Sequence, residues 1–186
     1  MKQNESIVMY VLRLAGTLLL ICAVTAGLLA GVNAITAPII AELNAAATQE
    51  AISAVLPGGF DSEITDYADA TGIVSKVYQG ANGYALEVGP GGFDNTITMM
   101  VGIVNEGKVL GISIVNHTET AGLGAVADAD TPKGIAFREQ FIGTSGSVSV
   151  TKDGGMMDAI TGATITSRAI CVGVNAALDC VAGLLG

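Results

Sequence analysis

Residues 97–114 read ITMMVGIVNEGKVLGISI, and the fold class turns on them. Ile97, Met99, Val101 and Ile103 alternate with Thr98, Met100 and Gly102, a period near two. An extended strand is the regular structure that puts residues i, i+2 and i+4 on one face. Asn105-Glu106-Gly107-Lys108 then supplies turn residues, and Leu110, Ile112 and Ile114 resume the alternation. The pattern predicts a β-hairpin with one face buried.

Around that hairpin the signals are shorter. Residues 72–79 and 83–88 read as strands, and 147–151 as another. Residues 42–56, ELNAAATQEAISAVL, predict a helix ended by Pro57-Gly58-Gly59. A short helix is expected over 134–141 and a longer one over 166–184. In the latter, Ile170, Val174, Leu178 and Val181 recur at helical spacing, so one face should pack on the sheet. Its glycines argue against regularity, since each costs roughly 1 kcal/mol in a helix interior. The outline is α+β: a mainly antiparallel sheet with helices packed against it.

The N-terminal region has a different character. Half of the 186 residues are apolar (51%), only 13% are charged, and the mean hydropathy is +0.59. That is greasy for a soluble domain. From Leu14 to Ala41 there is no charge at all, a run longer than the roughly 20 residues that span a bilayer. Pro38 is expected to end this transmembrane helix. Lys2 and Arg13 precede the run while Glu42 and Glu50 follow it. The positive-inside rule then gives a cytoplasmic N-terminus and an extracytoplasmic remainder. The expected division is 1–40 for the N-terminus and anchor and 41–186 for the extracytoplasmic domain. A cleaved signal peptide is the competing reading, because Val32-Asn33-Ala34 has small-residue cleavage character; the apolar run is long for a signal core. Gly27 and Gly31 form a GxxxG, extended a turn earlier by Ala23, which lets another helix approach closely or simply reflects membrane-helix composition.

Several function classes are excluded. The net charge is −9, and from Glu42 onward six basic residues face sixteen acidic ones. Such a domain repels phosphate backbones, so no nucleic acid partner is expected. A single histidine, His117, rules out a His-rich metal site. Cys171 and Cys180 lie nine residues apart in the last helix, about half a turn apart in phase and about 13 Å along the axis, too far to bridge. With Cys22 they read as small core residues. No catalytic residue and no metal ligand set emerges.

The stretch that carries chemistry is DAITGATITS, residues 158–167. Thr161-Gly162-Ala163-Thr164 falls where a loop becomes the last helix. Two readings compete. In one, threonine hydroxyls cap the helix. In the other, Gly162 and Ala163 let a bulky ligand reach the backbone, the free N–H groups of the helix start hold a phosphate, and a threonine hydroxyl accepts a phosphoester. Arg168, within a turn, could add charge pairing to that phosphate.

Asp158-Ala-Ile-Thr161-Gly162-Ala163-Thr164 fits the Asp-x-x-(Ser/Thr)-Gly-Ala-Thr motif of flavinylated extracytoplasmic proteins. With the anchor, the chain length, the loop His117-Thr118-Glu119-Thr120-Ala121-Gly122-Leu123-Gly124 and the last helix, the whole chain resembles the G subunit of the Rnf complex. It is similar, more distantly, to the C subunit of the sodium-translocating NADH:quinone reductase. Two departures stand out: Ala121 replaces the family's usual proline, and the upstream segment is Gly89-Pro90-Gly91-Gly92, where tyrosine is often second.

The resemblance implies an FMN-binding domain outside the membrane, with FMN joined through its phosphate to Thr164 by a flavin transferase that uses FAD as donor. Asp158 and Thr161 belong to the motif that the transferase recognises. His117 is implied as a residue lining the flavin pocket, against the plainer reading of a polar residue ending a strand. Glu119 is either a solvated loop acid or a carboxylate near the ring, where it would oppose added negative charge and lower the reduction potential. Thr120 and Leu123 would give a hydrogen bond and an apolar wall. Met156-Met157 and Met99-Met100 read as core filler.

The function so implied is an electron relay inside a redox complex that passes electrons between ferredoxin and NAD⁺ while moving Na⁺ or H⁺. Other membrane and redox subunits would be its partners. Enzyme activity would belong to the assembly. The alternatives are a flavinylated quinone-reductase subunit or other extracytoplasmic flavin carrier, and, in a different class, an anchored binding or structural domain without flavin.

Overall fold

The computed structural model describes residues 2–186, with side chains from Ile7 onward. Lys2, one of the charges weighed above, lies outside the described side chains. The chain forms two compact units, Met1–Ala46 and Ala47–Gly186.

The first unit is helix alone, part of α1 (Lys2–Val55). Its large apolar side chains, among them Leu18, Leu19, Leu28, Leu29 and Ile35, are exposed all round, the surface a helix offers to lipid. Thr17, Thr25 and Thr36 return their hydroxyls to carbonyls three or four residues earlier, which satisfies these three donors in apolar surroundings. Nothing approaches Gly27 or Gly31. Two expectations are corrected here. Pro38 does not end the helix, and 42–56 is not a separate one: α1 passes through Pro38 and continues to Val55. A proline removes a single N–H donor, whereas leaving the helix in hydrocarbon would strand many more backbone groups. The helix ends at Pro57-Gly58-Gly59, where Gly58 (φ +108°) and Gly59 (φ +77°) take conformations that strain other residues.

The second unit is built on a five-stranded antiparallel meander: β1 (Ser62–Ile64), β2 (Val74–Gly80), β3 (Gly83–Val88), β4 (Thr98–Val104) and β5 (Val109–Asn116) in that spatial order. The hairpin of 97–114 is β4–β5, with Met99 opposite Ile114 and Val101 opposite Ile112. The remaining elements are α2 (Pro132–Glu139), α3 (Thr164–Leu185) and two 3₁₀ turns at Gly124–Ala127 and Thr151–Asp153. Strand β1 is too short to leave a periodic signal. Helix α2 starts earlier than expected because Pro132 is tolerated in its first turn and the Thr131 hydroxyl accepts the Gly134 N–H.

Both sheet faces are covered, which corrects the expectation of one buried face. On one side Val77, Leu86, Val88, Met99, Val101 and Ile112 meet Ile170, Val174 and Val181 of α3 and Phe137 and Phe141. On the other, Tyr78, Ala85 and Met100 pack under Ala51, Ile52, Val55 and Leu56. A Cβ on Gly102 would run into the Val55 carbonyl, so this glycine is what lets the chain lie flat on β4. In α3, Gly173 has the same use, with Pro90, Met99 and Val88 about to touch any added carbon.

Two further expectations fail. Residues 147–151 form no strand. Val150 makes one isolated bridge to Met157, and the chain then curls through Thr151–Asp153 with its hydrogen bonds satisfied locally. Met156 is not core filler; it is 82% exposed, whereas Met99, Met100 and Met157 are buried. Cys22 is exposed on α1 and not a core residue, whereas Cys171 and Cys180 are buried and free, and burial pushes the Cys171 thiol up to about 11.

Candidate functional site

Helix α3 begins without a side-chain cap. Its N-cap residue is Ala163, and no hydroxyl of the Thr-rich stretch takes the capping role. The helix-cap reading of this stretch is thereby corrected. A Ser, Thr, Asn or Asp cap is worth about 1 kcal/mol, and the sequence forgoes it despite having threonines on both sides. Ile160, Thr161, Gly162 and Ala163 form a turn closed by the Ala163 N–H on the Ile160 carbonyl at 2.9 Å, with Gly162 at φ +80°. Ser167 fastens this turn: its hydroxyl donates to the Ala163 carbonyl and accepts the Ile160 N–H, each at 3.0 Å. Among the described residues, no protein acceptor meets the N–H groups of Thr164, Ile165 or Thr166. They form the positive end of a 22-residue helix.

Thr164 stands at that end. Its Oγ1 accepts a hydrogen bond from Lys152 Nζ at 3.0 Å. Lys152 comes from the Thr151–Asp153 turn, just past the 147–151 stretch expected as a strand, and nothing in its local pattern pointed to the site. Arg168 does not play the part expected of it. Its guanidinium forms a two-point pair with Asp153, at 2.6 Å from each oxygen. That hydrogen-bonded pairing holds the Asp153 carboxyl below the usual carboxylate value.

Lys152 and Thr164 edge a cleft of about 270 Å³. It brings together six of the expected residues: Glu119, Thr120, Leu123, Gly162, Ala163 and Thr164. The sequence reading missed Phe93, Gly124, Lys152, Ile165 and Thr166. Phe93 carried a signal, an aromatic directly after Gly91-Gly92 that is 65% exposed in a chain with four phenylalanines. With the exposed Leu123 and Ile165 it gives the cleft apolar walls beside a cationic end.

Asp158 and Thr161 lie elsewhere. They line a neighbouring cleft of about 550 Å³ with Gly122, Lys133, Phe137 and Gln140. The Leu123 side chain rests on Gly162, 2.9 Å from where a Cβ would stand. Gln140 grips the Asp158 backbone from both sides, accepting its N–H at 2.7 Å and donating to its carbonyl at 3.3 Å. His117 lines neither cleft. It directly follows β5, where its Nδ1 accepts the Glu119 N–H at 3.1 Å and its Nε2 lies 3.7 Å from Asp128. Glu119 is not a solvated loop acid: it is 8% exposed, bonded to the Phe93 N–H at 2.7 Å and to the Thr166 hydroxyl at 2.5 Å.

Comparison with known families bears on this geometry. The family model described as FMN-binding domain matches residues 92–179, the span that holds both clefts. That of the RnfG N-terminal region matches residues 1–55. The chain is 32% identical to the G subunit of the ion-translocating oxidoreductase complex of Methanosarcina acetivorans, over 91% of this chain and 94% of the relative. It is 33% identical to the G subunit of the Na(+)-translocating ferredoxin:NAD(+) oxidoreductase complex of Acetobacterium woodii, over 67% of this chain and 69% of the relative. The G subunit of the proton-translocating ferredoxin:NAD(+) oxidoreductase complex of Clostridium ljungdahlii is 37% identical over 55% of each chain.

Proposed function

Because the chain belongs to the G-subunit family of ion-translocating oxidoreductase complexes, we propose that it is the flavoprotein electron relay of such a complex, with FMN joined by a phosphoester to Thr164. FMN supplies the chemistry: it takes up and releases electrons singly or in pairs. The residues present fit the group. A phosphate on Thr164 Oγ1 would meet the three free N–H groups of α3 and the Lys152 ammonium, which neutralise its charge where the helix is most positive. Phe93, Leu123 and Ile165 offer the apolar surface that a flat ring requires. The observation that carries the reading is the uncapped start of α3 with a lysine aimed at the threonine hydroxyl.

The reading extends in three directions. Asp158 and Thr161, on the far side of the Gly162 turn, are the handle for the flavin transferase that attaches the group. The uncharged run of α1 is the membrane anchor, with Arg13 on the cytoplasmic side and residues 41–186 outside as the FMN-binding domain. Electrons pass between ferredoxin and NAD⁺ through the other subunits, this chain providing position and potential while the assembly turns over.

The test is direct. The chain is expressed with a flavin transferase, denatured, and its gel band imaged under ultraviolet light beside Thr164→Ala. Fluorescence that survives denaturation and is lost in the variant is the expected result. A dark wild-type band, with the transferase active on a control protein, would refute covalent attachment.

A further inference from the structure

Glu119 is the one acidic side chain among the described residues that is buried, and it has no cationic partner there. Its two oxygens reach in opposite directions along the chain. Oε1 takes the Phe93 N–H, 26 residues away, and Oε2 takes the Thr166 hydroxyl, 47 residues away. The carboxylate thus ties the Gly91-Gly92-Phe93 loop to the first turn of α3. Glycines flank it on both sides: a Cβ on Gly92 would strike Oε1, and one on Gly124 would strike Oε2 and the Thr166 hydroxyl. Its own backbone is fixed as well, through the N–H held by His117. Each oxygen of this side chain thus holds one of two segments that carry cleft walls, Phe93 on one and Thr164 and Ile165 on the other.

We infer that Glu119 is a positioning residue for the flavin, a latch that fixes the Phe93 loop against the start of α3 and so sets the cleft's walls relative to Thr164. The role of the latch in flavin placement rests on the FMN reading; the latch itself rests on the two hydrogen bonds. This differs from tuning by charge. A charge acts on the potential whatever its neighbours, whereas a latch acts through its two partners and is kept by any group that can bond both. Glutamine can: its amide oxygen accepts the Phe93 N–H and its amide nitrogen donates to the Thr166 oxygen.

The full chain, flavinylated, is compared as wild type, Glu119→Gln, Glu119→Ala and Thr166→Val, reading the visible circular dichroism of the bound flavin. Glu119→Ala should lose most of the induced signal, Thr166→Val part of it, and Glu119→Gln should keep it. Equal loss in the Gln and Ala variants would overturn the latch in favour of charge, and full retention in Ala would overturn positioning altogether. Hydrogen exchange over residues 90–97 in the flavin-free Thr164→Ala background reads the latch without cofactor. Exchange should rise about tenfold with Glu119→Ala and stay unchanged with Glu119→Gln, the factor corresponding to one lost hydrogen bond. No rise with Ala would overturn the latch. A dark wild-type band would instead overturn the FMN reading, because the exchange measurement needs no flavin.

Discussion

Replacing Gly162 by alanine tests the turn that presents Thr164. Gly162 sits at φ +80°, where an L-residue costs about 1–2 kcal/mol. The new Cβ would also stand 2.9 Å from Leu123 Cδ2, the tip of a flexible side chain that can yield by leaving its rotamer, at roughly 0.5–1 kcal/mol. The expected loss is therefore about 1.5–3 kcal/mol. Two controls separate its parts. Gly154 has φ +86° with nothing near its Cβ, so Gly154→Ala isolates the backbone cost of about 1–2 kcal/mol. Gly111 has neither a positive φ nor a neighbour, so Gly111→Ala should be neutral or stabilising by up to about 1 kcal/mol. Three of the four tyrosines, Tyr67, Tyr78 and Tyr84, lie in the Ala47–Gly186 unit, so urea unfolding followed by near-ultraviolet tyrosine dichroism reports on it. Gly162→Ala as stable as Gly111→Ala would refute the left-handed turn. Gly162→Ala equal to Gly154→Ala would refute the Leu123 contact.

Two other outcomes follow from the packing and the charges. Ile52→Ala should cost about 2–4 kcal/mol in the same assay, because Ile52 is fully buried against the sheet, while Ile39→Ala, exposed in the first unit, should leave it unmoved. Equal effects would show that the end of α1 does not belong to the core. The Arg168 pairing holds the Asp153 carboxyl low, so its contribution to stability is present above the unfolded value near 3.9 and is lost as pH falls through the lower folded value. Asp153→Asn should flatten the fall in stability below about pH 4 and leave the shape above about pH 5 unchanged; an unaltered acid limb in urea titrations would contradict the pair.

Much of this protein was legible in one dimension because its signals are local. The alternation in 97–114 fixed the hairpin, since side chains of a strand must alternate whatever surrounds it. The uncharged run to Ala41 and the helical spacing of Ile170, Val174, Leu178 and Val181 were equally local and sufficient. The TGAT stretch drew attention to Thr164 by its pattern and its place before a helix, and the structure puts that residue at the edge of a cleft. What the sequence could not decide were distances between segments far apart in it. Whether the second face of β4 meets water or Val55 depends on where α1 ends, and a proline that usually stops a helix misled on that point. Lys152 reaching Thr164, Arg168 committed to Asp153, and Glu119 joining Phe93 to Thr166 are hydrogen bonds of one side chain to partners 12 to 47 residues away. No propensity or periodicity encodes such pairings. They exist because the meander and α3, once packed, carry three loops to one end of the sheet, and only that packing decides which charged groups meet.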